Sequence, residues 1–225
     1  MTRKSKALIA AASTLVLLGG GSLAAESLIT SRIETRIKGE LPKATGISAS
    51  ISLIEMVQSL FSDSIKSANI KIDNYALKGN TTETSIEIAA KSISKSKPTI
   101  IGSLEVISTI PAATILQSAE FGDAEIVDNT LQISAGPGGL GRAILVPKFS
   151  DNQIYFEIKG ISLFGNEIPA SSLPADAQSQ IKEKSLRQLD IPKGMKLISV
   201  SLNTQGLSVT LRGTNIQLET LGSSL

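Results

Sequence analysis

The stretch that decides the fold is IPKGMKLISVSLNTQGLSVTLRGTNIQL, which covers Ile191 to Leu218. From Ile198 to Leu202, and again from Leu207 to Leu211, apolar side chains alternate with polar ones, so each run has one apolar and one polar face. Between the two runs lies the turn cluster from Asn203 to Gly206. The pattern predicts an antiparallel hairpin of two half-buried strands with a glycine bulge.

The register of the second strand changes near its end. Apolar positions are odd-numbered up to Leu211 and even-numbered at Ile216 and Leu218. A shift by one residue moves side chains to the opposite face, so we expect a bulge at Gly213-Thr214-Asn215 that bends the strand.

Upstream of this hairpin, short alternating runs recur, and each predicts a further strand. They cover residues 47–53, 68–73, 84–90, 100–108, 124–127, 131–135, 142–146 and 154–163, the seventh of them ending before Pro147. Helical spacing or helix-start signals predict helices over 26–38 and 56–61, from Thr109 toward Gly122, and from Ser171 to about Leu189. This order predicts an α+β fold, with an antiparallel sheet packed on amphipathic helices.

The composition excludes several classes of function. The 225 residues include no Cys and no His, which removes thiolate metal sites, disulfides and the commonest general base. The net charge of +2 depends on Arg3, Lys4 and Lys6; the rest of the chain has 19 of the 22 basic residues against 20 acidic ones. We therefore expect no nucleic-acid partner.

Residues 1–24 have the three parts of an export signal: a basic start, an apolar run from Ala7 to Leu18, and small residues at Ser22-Leu23-Ala24. Cleavage would leave a single domain over residues 25–225. The alternative is an uncleaved membrane anchor, for which the apolar stretch is marginally long enough. Both alternatives place the folded part outside the cytoplasm.

Two further segments each allow two interpretations. The amphipathic helix over 26–38 either covers the sheet or lies on a membrane surface, although its polar face mixes both signs of charge. Lys91, Lys95 and Lys97 form either a solvated strand end or a patch that contacts anionic phospholipid headgroups.

Two motifs with catalytic or nucleotide-binding associations lack the context that their chemistry requires. Gly136 to Gly141 fits G-x-G-x-x-G, but the run after it is β-like, so we interpret it as a loop. Three S-x-x-K matches, beginning at Ser92, Ser94 and Ser179, have no companion motif of a Ser-Lys hydrolase. What remains is binding of something apolar by an aliphatic sheet face, or an ordinary packed core with the same pattern.

The order of features carries a family resemblance. An export leader, an amphipathic helix, a serine-alternating strand and the closing segment at 191–218 resemble the LmeA-like phospholipid-binding family of bacterial cell-envelope proteins. Pro192-Lys193-Gly194 matches the entry to the closing hairpin of that family, Gly206 its turn and Gly213 the approach to its last β segment. The resemblance covers essentially all of residues 26–218.

The resemblance implies a curved sheet in a tubular lipid-binding (TULIP-like) architecture and a non-enzymatic, cofactor-free protein of the periplasm or cell envelope. Its implied partners are phospholipid and the outer face of the cytoplasmic membrane, and its implied role is envelope lipid or glycolipid biogenesis or transfer. We expect acyl chains to contact the apolar side chains Ile51, Leu53, Met56, Val57, Leu60, Phe61, Leu116, Phe156, Ile158, Ile198, Val200, Val209 and Leu211. The alternative is a structural or partner-binding envelope domain with a filled core.

Overall fold

A computed structural model describes the fold of a large part of the chain. The described residues are 31, 34–35, 37–39, 44–50, 62–76, 83–117, 123–136 and 139–217. Within them, antiparallel strands dominate and helices are few, which confirms the sheet-rich α+β class. The predicted leader over 1–24 and the predicted helix over 56–61 lie outside the described residues.

The first sheet has six strands in the order β1-β2-β3-β4-β12-β11. The strands are β1 (Ala44–Ser50), β2 (Ser64–Ala76), β3 (Glu83–Ser94), β4 (Ile100–Pro111), β11 (Met195–Asn203) and β12 (Gly206–Gln217). The first three strands form an antiparallel meander in which Ile47 lies opposite Ile72, and Ile72 lies opposite Ile86. Alternation puts these isoleucines on one buried face, as the sequence predicts.

The second sheet has the order β10-β8-β7-β6-β5, with β9 paired to β8. Its strands are β5 (Ala124–Val127), β6 (Thr130–Ala135), β7 (Gly141–Ser150), β8 (Gln153–Leu163), β9 (Asn166–Pro169) and β10 (Arg187–Gln188). Strand β7 begins at Gly141 and pairs with β6, so the glycine-rich motif is followed by a strand, as predicted, and not by a helix; residues 137 and 138 lie outside the described part. Strand β9, which follows a tight turn at Phe164-Gly165, was not predicted.

The predicted end of a strand before Pro147 is wrong, because β7 continues to Ser150. Pro147 lies opposite Phe156 of β8, and the Phe156 N–H donates to Ser185 Oγ and not across to β7. Pro147 and Phe156 thus form a non-hydrogen-bonded pair, in which each backbone nitrogen points away from the partner strand. The nitrogen of Pro147 therefore lies on the edge of β7 that faces away from β8. That edge pairs with β6 only over residues 141–145, so no carbonyl group of β6 needs an N–H at Pro147.

The described helices are short. Helix α1 covers Ala112–Leu116, so the predicted helix start at Thr109 is wrong. Strand β4 continues through Pro111 because β12 lies beside it there, with Thr109 Oγ1 2.9 Å from Ser208 Oγ. Residues 118–122 lie outside the described part. Helix α2 covers Ala175–Ser185, so its predicted extension to Leu189 is wrong. Leu186 is extended and the next two residues form β10, because the edge of β8 supplies backbone partners there; Leu189 N donates to Asn152 O at 2.8 Å.

The described positions between residues 31 and 39 are helical, and Gly39 is the last of them. Ile37 is fully buried, while Lys38 and Gly39 are exposed, which fits an amphipathic helix that covers apolar surface. No helix in the described part of the chain is long and apolar enough to span a membrane.

The closing hairpin has the predicted turn and the predicted bulge. Asn203 Oδ1 accepts hydrogen bonds from Gln205 N at 2.8 Å and from Gly206 N at 3.2 Å, which closes the turn between β11 and β12. Near the end of β12, Thr214 and Asn215 are both exposed before buried Ile216, and Asn215 has φ +51°. The change of register at 213–215 is thereby confirmed.

The chain divides into two compact units. The first comprises Met1–Ser108, Asp190–Ile198 and Thr210–Leu225, and the second comprises Thr109–Leu189 and Ser199–Val209. Their boundaries fall inside β4, β11 and β12. The prediction of one domain over residues 25–225 stays a prediction.

Replacing Gly206 should destabilise the protein strongly. A Cβ at this position would lie 1.9 Å from Ile110 O, and φ is +144°, where side chains are rarely tolerated. We expect Gly206→Ala to lower the free energy of unfolding by at least ~3 kcal/mol, measured by urea denaturation. Gly136→Ala is the matched control: φ is +79° with open space around the new Cβ, so only ~1–2 kcal/mol should be lost. Equal losses in the two variants would contradict the role of the close approach at Gly206.

Candidate ligand-binding site

The buried face of the first sheet is almost wholly aliphatic. In register across the first three strands, Ala49 lies opposite Ile70, and Ile70 opposite Ile88. On β4, Leu104 and Val106 are each 1% exposed. Among the described buried residues from β1 to β4, Tyr75 is the one aromatic side chain. This face therefore presents almost only methyl and methylene groups, and Tyr75 is its one ring among the described residues.

Six of the thirteen residues predicted to contact lipid lie outside the described residues. They are Ile51, Leu53, Met56, Val57, Leu60 and Phe61. Their contacts with acyl chains stay predictions.

Five of the other predicted residues belong to the second unit. Phe156 and Val209 are buried, while Leu116, Ile158 and Val200 are half-buried. Of these, Phe156 and Ile158 share one face of β8, so the structure brings these two side chains onto a common surface.

The remaining two predicted residues belong to the first unit and differ in exposure. Leu211 is buried on β12, whereas Ile198 on β11 is 42% exposed. The prediction that Ile198 lies on the apolar face with Leu202 is therefore wrong. Met195 and Leu202 are buried, whereas Ile198 and Ser199 between them are both exposed. Two consecutive exposed residues indicate a change of register inside β11, which the even spacing of its apolar residues did not reveal.

A shallow groove of about 400 Å³ lies on the first sheet, on the polar side of its strands. Its polar lining consists of Ser48, Ser50, Asn69, Lys71, Glu87 and Glu105. Glu105 Oε2 accepts a hydrogen bond from Arg212 Nε at 3.0 Å, so one rim carries an ion pair. We name this groove the polar groove after these hydroxyl, amide and charged groups; the rest of its lining, Ile70, Ile88, Ala89 and Ile107, is apolar. The sequence did not predict the groove, because the strand register is what brings these residues together.

Ser185 fixes one of the predicted residues in place. Its buried hydroxyl accepts a hydrogen bond from Phe156 N at 2.9 Å and donates to Ile181 O at 2.7 Å. Helix α2 is thereby attached to β8. On the same helix, the Lys182 ammonium lies 4.5 Å from the centre of the Tyr155 ring, a cation–π contact at the surface.

The described residues contain no group of His, Cys, Asp and Glu that could hold a metal ion. In comparisons with known proteins, no protein-family model, no curated protein and no solved structure matches the chain.

We expect Ser185→Ala to lower the free energy of unfolding by ~1–2 kcal/mol, because the buried Phe156 N–H loses its acceptor. Ser179→Ala on the exposed side of the same helix is the control and should change stability by less than ~0.5 kcal/mol. Urea unfolding followed by circular dichroism measures both variants. A Ser185 variant as stable as the control would show that this hydroxyl does not attach α2.

Proposed function

We propose that the protein binds phospholipid outside the cytoplasm and holds acyl chains against an aliphatic sheet face, with the headgroup near the rim. The observation that carries this proposal is the aliphatic, nearly ring-free face that runs across β1 to β4. The proposed arrangement is a curved sheet of the tubular lipid-binding type, and the proposed role is envelope lipid or glycolipid biogenesis or transfer.

The physical basis of the proposal is the match between an acyl chain and a wall of Ile, Leu, Val and Ala. Each methylene that leaves water favours the bound state by ~0.8 kcal/mol, and this gain requires neither hydrogen bonds nor a fixed orientation. The polar groove on the opposite side of the first sheet has no part in this mechanism.

A second candidate is an envelope domain with a filled core that binds no lipid. The observation that favours it is the complete burial of Ile72 and Ile101 by the protein itself, each of which is 0% exposed. Because side chains that already touch protein on all sides offer no wall to a ligand, this candidate predicts a protein without lipid. The two candidates therefore differ in whether the folded protein contains phospholipid.

Mass spectrometry of protein purified without added lipid should find phospholipid at a near-stoichiometric amount. After delipidation with organic solvent and refolding, the protein should take up phospholipid again from mixed micelles. Folded protein that neither carries nor takes up lipid would exclude acyl-chain binding and favour the filled core.

A pair of variants on β12 tests where the chains lie. Val209 is buried on the apolar face, and Thr210 is the next residue on the opposite face. We expect Val209→Ser to weaken lipid retention about tenfold, since it removes the apolar contact of one side chain. Thr210→Ser should leave retention unchanged. Retention is measured per folded molecule, with circular dichroism as the check on folding, and equal retention in both variants would place the lipid elsewhere.

A further inference from the structure

Four lysines gather at one end of the first sheet, where β2 begins and β3 ends. The antiparallel register places Ser64 opposite Ser94 and Ser67 opposite Lys91, so residues 62–67 and 91–100 form one surface, here named the basic tip. Its charged side chains are Lys66, Lys91, Lys95 and Lys97 against a single acid, Asp63. Among the described residues, Lys91 and Lys97 form no salt bridge.

A local irregularity turns two of these lysines to the same side. On β2, Ile65 and Ala68 are buried, so Lys66 and Ser67 between them both lie on the outer side. On β3, Ala90 and Ile93 are buried in the same way, and Lys91 and Ser92 between them are exposed. Regular alternation would have placed one residue of each pair inside. Ser92, with φ +56°, marks the irregularity.

The loop that carries the other two lysines is held in one conformation by its own hydrogen bonds. Ser94 Oγ accepts from Ile100 N at 2.8 Å and donates to Ser96 O at 3.2 Å. Lys95 Nζ donates to Ser62 O at 2.8 Å, and Lys95 N donates to Asp63 O at 2.9 Å. Because these bonds fix the backbone, the loop needs little ordering when it meets a partner.

An apolar side chain completes the basic tip. Thr99 is 4% exposed, whereas its neighbour Ile100 is 42% exposed. An exposed aliphatic side chain beside several lysines is the combination that binds the interface of an anionic membrane, since the ammonium groups contact headgroups and the aliphatic group enters the acyl boundary.

We propose that the basic tip is the surface on which the protein docks to a membrane containing anionic phospholipid. The excess of positive charge supplies complementarity, and the fixed loop presents Lys97 and Ile100 together. This inference rests on the proposed lipid binding and deepens it, because it names the face by which the protein meets the membrane that supplies or receives the lipid.

A fluorescent probe at the basic tip tests this directly. The chain has no cysteine, so Ser96→Cys gives a single attachment site on an exposed side chain for an environment-sensitive dye. The dye should shift to the blue and brighten on addition of vesicles containing phosphatidylglycerol, and should not respond to vesicles of phosphatidylcholine alone. The same dye at Thr204→Cys, in the turn of the closing hairpin, should not respond. A response at Thr204 and not at Ser96 would overturn the proposal.

Charge removal measures the contribution of the lysines. The double variant Lys91→Gln/Lys97→Gln should bind phosphatidylglycerol vesicles about 25-fold more weakly, on the basis of about fivefold for each lysine near an anionic surface. Lys193→Gln/Lys196→Gln removes two other exposed lysines and should bind like the natural protein. In 0.5 M salt the difference should largely disappear, because screening shortens the range of the charges. Equal weakening in the two double variants would show a dependence on net charge alone and would overturn the proposal.

Ile100 has its own control in Phe164, which is 84% exposed at the turn after β8. Ile100→Ser should weaken vesicle binding severalfold, and Phe164→Ser should not; the reverse result would place the membrane contact in the second sheet.

Failure of docking and failure of lipid binding are distinguishable. Bound phospholipid in the purified protein without a response of the dye at Ser96 refutes docking by the basic tip, whereas a response with no bound phospholipid refutes the acyl-chain site.

Discussion

The first sheet depends on the close approach of β12 to β4, where Gly206 lies so near Ile110 O that no side chain fits. Along the same two strands, Thr109 Oγ1 and Ser208 Oγ are 2.9 Å apart, and Arg212 binds Glu105. Since the numbering rises on one strand as it falls on the other, the two strands are antiparallel. Strands β11 and β12 thus complete a sheet whose other described members precede residue 112, and β5 to β10 lie between them in sequence.

Much of this fold could be predicted from the sequence because strand alternation is a local property. The meander, the closing hairpin and the bulge before Ile216 follow from which residues are apolar and from the positions of glycine and asparagine. The misplaced boundaries have a different origin. The end of α2 at Ser185 depends on the edge of β8, which supplies backbone partners to β10. The passage of β7 through Pro147 depends on the other edge of β7, which β6 leaves unpaired beyond residue 145. The type of a residue does not show which backbone groups from distant parts of the sequence will lie beside it in the fold.

The chemical character of the candidate site could be predicted from the sequence, but not all of the residues that form it. The sequence indicates an aliphatic face, and the structure shows one, yet Ile198 is exposed because β11 changes register. The polar groove and the basic tip arise only when strands are in register. Lys66 and Lys91 are 25 residues apart in the chain and share a surface because both strands have two consecutive outward residues there. The spacing of residues along one strand does not show which residues of the neighbouring strand will share a surface with them.

Photo-crosslinking is the most direct measurement of acyl-chain burial. The protein is loaded with a phospholipid that carries a photoreactive group near the end of one acyl chain, and the labelled peptides are identified after irradiation. If the chains lie against the apolar faces, label should be found in β12 between Leu207 and Leu211 and in residues 51–61, and should be absent from the polar groove at Asn69 and Lys71. Label confined to the polar groove or the basic tip, or no label in a folded protein, would contradict acyl-chain burial.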